Sequence, residues 1–158
     1  QSGGRRIKRS INIDITSIKL CDDKLISNLN KIDLLSSYLK DKKTSLSKFN
    51  KNMQKGDDFH YLNSRNLTNI GTFRAYIVAY LRNHENINEN MTFLIRQLPA
   101  SENGLPIEIY VFSNDNKWAN YENIQSDIFD HLIASTKYFD LRIFQNPSGH
   151  DFKSIVKG

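Results

Sequence analysis

Few side chains in this chain stand where chemistry needs them. The four histidines, His60, His84, His131 and His150, are scattered, and none has another His, a Cys or a pair of carboxylates in the pattern zinc requires. Asp127 and His131 share one helical face at i, i+4, with Asp130 beside them. Such a pair can ligate a metal or pass a proton, but it is far more often a solvated helix pair. Cys21 precedes Asp22 and Asp23. A nucleophilic thiol needs a base or cations to lower its pKa, and adjacent carboxylates act the other way, so Cys21 reads as an inert small residue. The serines lack a Gly-x-Ser-x-Gly turn, and there is no glycine-rich phosphate loop or dinucleotide fingerprint. The expectation is that the chain is not an enzyme, with no catalytic residue, no metal and no cofactor.

Charge offers a second kind of site. Arg5, Arg6, Lys8 and Arg9 could face phosphates, of nucleic acid or of lipid headgroups, or line a vestibule. The plainer reading is a charged strand edge. Lys40–Gly56 holds six lysines against Asp41, with little aromatic interleaving beyond Phe49, and reads as a solvated helical face. The net charge is +5, yet residues 57–158 hold nine basic and twelve acidic side chains. The folded part is therefore not basic, which weakens any argument from charge to nucleic acid. Phe93, Tyr110, Phe112 and Phe144 are strand aromatics that could stack on bases. No Arg-Gly-Phe-Gly-Phe-Val-like run surrounds them, and Tyr110 beside Glu108 suggests a mildly acidic sheet, so no nucleic acid is expected. Trp118 and Tyr121 read as core or subunit contacts.

The elements that position these residues follow from periodicity. Residues 158 in number, 39% hydrophobic and 11% aromatic, suffice for one domain with a real core, with or without a helical appendage. No apolar run approaches the roughly 20 residues of a membrane span. A lone cysteine fits a reducing compartment. The chain opens on Gln1, which gives the expectation of a piece of something longer.

Ile11, Ile13 and Ile15, then Ile18 and Leu20, alternate as a strand over Arg9–Leu20 with a break at Ser17. Asp22 and Asp23 can cap a helix carrying Leu25, Ile26, Leu29 and Ile32, followed by a thinner stripe of Leu35, Tyr38, Leu39, Leu46, Phe49 and Met53. Gln54–Arg65 reads as a loop. Thr68 or Asn69 caps the next helix, whose face is Ile70, Phe73, Ile77, Tyr80 and Leu81, with Gly71 in its first turn. Met91, Phe93 and Ile95, a Pro/Gly loop, and Leu105, Ile107, Ile109 and Val111 predict an antiparallel hairpin. Ser113 or Asp115 starts a last helix burying Trp118, Tyr121, Ile124, Ile128, Phe129, Leu132 and Ile133. Leu141, Ile143 and Gln145 close as a short strand. The class is α+β, a ferredoxin-like split βαβ sandwich with a helical insertion at 22–66 after the first strand. The divisions expected are 1–10 as the end of an upstream β domain or linker, 11–146 as the α/β domain, and 147–158 as a tail.

Four segments, SGGRRIKRSINIDITSI, RNLTNIGTFRAYIVAYLRNH, RQLPASENGLPIEIYVFSND and YENIQSDIFDHLIAS, carry a likeness in register over nearly the whole chain. Together they resemble the cytoplasmic end of small-conductance mechanosensitive channels, nearest the larger bacterial miniconductance type. The resemblance implies transmembrane helices upstream of Gln1, a β-rich domain leading into an α/β domain, and a heptameric cage with side portals on the cytoplasmic side of the bacterial inner membrane. It implies release of ions and small osmolytes when tension rises, with the gate outside these residues. The insertion at 22–66 departs from the small prototype, and no pore-lining residue is assigned. The competing expectation is a soluble ferredoxin-like module that binds a ligand or nucleic acid through Arg5, Arg6, Lys8 and Arg9.

Overall fold

Ile7, Ile11 and Ile13 share one face of the first strand, interrupted only by Arg9, and they set the inner face of the sheet. In the computed structural model, which describes residues 4–50 and 66–146 (side chains of 49 and 50 excepted), β1 (Arg6–Ile13) buries Ile7, Ile11 and Ile13. β3 (Leu105–Phe112) lies antiparallel beside it, in a register running from Arg6 opposite Phe112 to Ile13 opposite Leu105. β2 (Leu94–Gln97) pairs antiparallel with the other edge of β3, giving the order β1-β3-β2 and the expected hairpin. Leu105, Ile107, Ile109, Val111 and Ile95 complete the buried face.

The first strand begins and ends earlier than its isoleucines suggest. It starts at Arg6, so residues 6–10 share one strand with 11–13. It stops because Asp14 accepts from the backbone N–H and hydroxyl of Thr16 and caps a 3-10 turn, Ile15–Ser17. That turn points Ile15 outward, 47% exposed. The closing strand is reduced likewise. After the 3-10 turn Thr136–Phe139 the chain reverses at Asp140, φ 55, and Ile143 makes a single bridge to Ile13 on the free edge of β1. Asp14 N–H donates to Arg142 O at 2.8 Å and Phe144 N–H to Asn12 O at 2.9 Å.

Helices cover the inner face. α1 (Asp23–Leu29) is capped by the Asp22 carboxylate, and Leu25 and Leu29 are buried. A 3-10 turn at Asp33–Leu35 leads into α2 (Ser36–Asn50), which is buried at Leu39 and exposed along its lysine-rich remainder as far as residue 48. Met53, His60 and the loop Gln54–Arg65 lie outside the described residues, as do His150 and the tail 147–158. α3 (Asn69–Arg82) is capped by Thr68, whose hydroxyl accepts from Gly71 N–H at 3.0 Å. A Cβ at Gly71 would stand 2.9 Å from that hydroxyl, so the glycine makes room for the cap. Ile70, Phe73, Tyr76, Ile77 and Leu81 turn inward.

α4 (Trp118–Ser135) buries Ile124, Ile128, Phe129 and Leu132. It starts later than Ser113 or Asp115 because Asp115 folds back on itself, accepting from Lys117 N–H and Asn120 Nδ2. Two residues expected inside are outside: Trp118 is 63% exposed and Ile133 40%. The result is a mixed α+β arrangement with one helix-covered and one open sheet face. Among the described residues no helix is long and apolar enough to cross a membrane.

Candidate functional site

The open face of the sheet is where the strand register gathers side chains that no described helix covers. Residues opposite one another in an antiparallel pair share a face. Arg6 therefore stands beside Phe112, Lys8 beside Tyr110, and Tyr110 beside Leu94 on the far strand. Tyr110 and Phe112 meet edge to face at 6.0 Å between centroids. The Arg6 guanidinium and the Lys8 ammonium each lie 5.9 Å from the Tyr110 ring centroid, a cation–π distance. Leu94 is 47% exposed.

One row further along, Arg96 donates from Nε to Glu108 Oε1 at 3.0 Å and closes an ion pair through Nη2, also at 3.0 Å. Glu108 is buried beneath this arginine, so its charge is matched within the sheet. The face is consequently cationic through Arg6 and Lys8, not mildly acidic as the Tyr110–Glu108 neighbourhood alone suggests.

The four basic residues expected to act together are split by strand alternation. Arg6 and Lys8 belong to the open face, while Arg5 and Arg9 turn to α4. The Arg5 guanidinium lies 4.7 Å from the Trp118 ring and 4.4 Å from the Tyr121 ring. Ser113 fixes the Arg5 backbone in both directions: Arg5 N–H donates to Ser113 Oγ at 3.2 Å, and Ser113 N–H to Arg5 O at 2.9 Å. Tyr121 Oη donates to Arg6 O at 2.8 Å. Arg9 covers the Phe129 ring at 4.4 Å. Trp118 and Tyr121 thus brace the entry of the chain against the first turn of α4, and no single phosphate can reach all four cations.

The titratable residues weighed for catalysis are dispersed too. Asp127 and His131 are both exposed on α4. His131 turns to α3, where Nε2 meets Tyr76 Oη at 2.6 Å and its ring stacks on Tyr80 at 4.3 Å, 7° from parallel. Burial pushes the phenols of Tyr76 and Tyr80 up, so both stay protonated at neutral pH. His84 lies edge-on to Tyr80, and its Nδ1 accepts from Asn86 N–H at 3.1 Å. A shallow groove runs past Leu34, Tyr80, His84, Glu85, Ile124 and Asp127. Cys21 is fully buried, and burial pushes its thiol up to about 11, opposed by the Thr72 hydroxyl. Among the described residues no group of His, Cys, Asp and Glu is placed to hold a metal ion.

A further component stands on the opposite side of the molecule. α4 carries Glu122, Asp127 and Asp130 and no Lys or Arg, and all three carboxylates are on its exposed side. The segment WANYENIQSDIFDHLIAS holds that signal plainly, but it acquires meaning only when the inner face of the helix is fixed. No protein-family model matches the chain.

Proposed function

We propose that this chain is the cytoplasmic assembly domain of a tension-gated membrane channel of the small-conductance mechanosensitive type, releasing ions and small osmolytes under hypo-osmotic stress. The observation that carries the reading is where the four resembling segments fall. They supply β1, α3, the second half of β2, all of β3 and α4 from Tyr121 onward, which make up most of the central sheet and the two helices over it. The likeness therefore covers the core of the fold and not one surface motif.

The architecture supports the same reading. The three-stranded sheet β1-β3-β2 is extended past β1 by the isolated antiparallel bridge at Ile143 and covered on one face by α3 and α4. This is the order of a ferredoxin-like split βαβ sandwich, which we adopt for the domain, with α1 and α2 in the insertion after its first strand. Among the described residues the buried polar side-chain atoms all have hydrogen-bond partners, as suits a wall segment. The chain serves as one copy of a homo-oligomer, a heptamer in the intact channel, held to the bacterial inner membrane by upstream helices and lying on its cytoplasmic side. It performs no catalysis and needs no cofactor.

The test is a survival assay. Cells stripped of their own tension-gated channels and expressing the full-length gene should survive a hypo-osmotic downshock that kills the unprotected strain. A gene without hydrophobic spans, or one giving no protection although the protein reaches the membrane, sinks the proposal.

A second reading is favoured by one observation. Tyr110 and Phe112, half-exposed beside Arg6 and Lys8, form the kind of aromatic and cationic sheet surface on which single-stranded nucleic acid stacks. Salt-dependent binding of a short oligonucleotide, lost in Tyr110→Ala, would support a binding module; no binding at low salt dismisses it.

A further inference from the structure

We infer that the open sheet face of one copy docks on the outer face of α4 of the next copy, in a head-to-tail contact. The inference rests on the assembly reading above only in taking the partner to be another copy of this chain. Two unpartnered surfaces lie on opposite sides of the same molecule. The first joins Arg6 and Lys8 to Tyr110, Phe112 and the exposed Leu94. The second is α4 seen from outside, where Ala119, Asn123, Ser126, Asp130 and Ala134 form the exposed strip. Glu122, Asp127 and the 40%-exposed Ile133 flank that strip.

The two surfaces answer each other in charge and in shape. The sheet face brings two cations left over once Arg96 has matched Glu108. The helix face brings three carboxylates with no basic residue on the same helix. Aromatic rings and arginine are enriched at subunit contacts, and the small side chains of the helix strip let flat rings and a pleated sheet approach closely. A nucleic acid would satisfy the cationic face and leave the acidic helix without a partner. A second copy satisfies both at once. Because the two surfaces differ, the contact is heterologous, and its repetition gives a closed ring when the rotation closes and a filament when it does not.

The experiment is sedimentation velocity on the 158-residue chain from about 10 µM to about 1 mM, in about 50 mM and about 500 mM salt. The variants are Lys8→Glu, Asp130→Lys and the two combined; both residues are exposed, and circular dichroism checks that each variant folds. The expected result is concentration-dependent assembly that high salt weakens. Each single variant should weaken it about tenfold, and the double variant should recover most of the loss. Mixing the two single variants should also restore assembly, since each supplies the surface the other has altered. The inference is overturned by a chain that stays monomeric throughout, by single variants that associate like the parent, or by a double variant no better than its parts. A short oligonucleotide that binds the parent and not Lys8→Glu, while self-association is unchanged, would also overturn it. Failure here leaves the channel reading standing, because tension-gated protection is scored on the full-length gene. Charge-swap rescue alongside a gene with no membrane spans would sink the channel reading and keep the contact.

Discussion

Tyr76 and His131 meet at 2.6 Å between the phenol oxygen and Nε2, tying the middle of α3 to the last turns of α4. His131 is thereby used for packing and not paired with the aspartate one turn before it. Removing the phenol oxygen in Tyr76→Phe should cost about 1 kcal/mol, the usual net worth of such a bond. Urea unfolding of parent and variant measures this directly. An Asp127→Asn change on the exposed side of the same helix should leave the midpoint within about 0.5 kcal/mol.

Asn69 is the most deeply committed polar residue among those described. It is fully buried at the start of α3, where its oxygen accepts from Lys19 N–H at 2.9 Å and its amide donates to Ser17 O at 2.9 Å and, at the 3.5 Å limit, to Asp140 O. It thus joins the end of the first strand region to α3 and to the turn at Asp140. Asn69→Ala leaves buried backbone groups without partners and should destabilise by about 2–4 kcal/mol. Asn69→Asp should be worse, because a buried carboxylate would face carbonyl oxygens. Denaturant midpoints of both variants test the order.

His84 gives the stability a pH dependence near neutrality. Burial lowers its pKa, while Glu85 and Asp127 pull it upward less strongly. The unfolded chain therefore takes up a proton at higher pH than the folded one, and stability present above the ordinary histidine value of about 6.5 falls as pH drops through the folded value. Protonation also forfeits the acceptor at Nδ1 that holds Asn86 N–H. Urea midpoints should decline between about pH 7 and pH 5 in the parent and decline less in His84→Gln. The carboxylates of Asp14 and Asp115 are held low by hydrogen bonds from Thr16 and from Lys117 N–H, so their contribution is lost only further into acid.

Cys21 should behave as a reporter of unfolding. With its side chain buried and its thiol pushed up to about 11, it is scarcely ionised at pH 8. Alkylation by iodoacetamide should be slow in the native chain and rise to the rate of a free thiol in denaturant. Fast modification in native buffer would contradict the packing described.

Much of the sheet was legible because its signals are local. Alternate isoleucines in β1 and β3 name the buried face, the Pro/Gly segment between Gln97 and Leu105 predicts the hairpin, and Thr68 predicts its own cap. Gly104, at φ 92 with Ile13 O 2.6 Å from where a Cβ would sit, is the residue that hairpin needs. What escaped the sequence depends on distant partners. Ile15 looks like one more strand residue until Asp14 caps a turn beneath it. Trp118 looks like core until its ring meets Arg5, 113 positions earlier in the chain. Glu108 looks like an exposed acid until the hairpin register brings Arg96 over it. The cationic quartet near the start looks like one patch until strand alternation divides it.

The proposed channel activity can be measured in a liposome patch reconstituted with the full-length protein. Suction applied to such a patch should evoke discrete current steps that vanish when tension is released. Full-length protein inserted in the bilayer and silent up to the lytic tension would contradict the account.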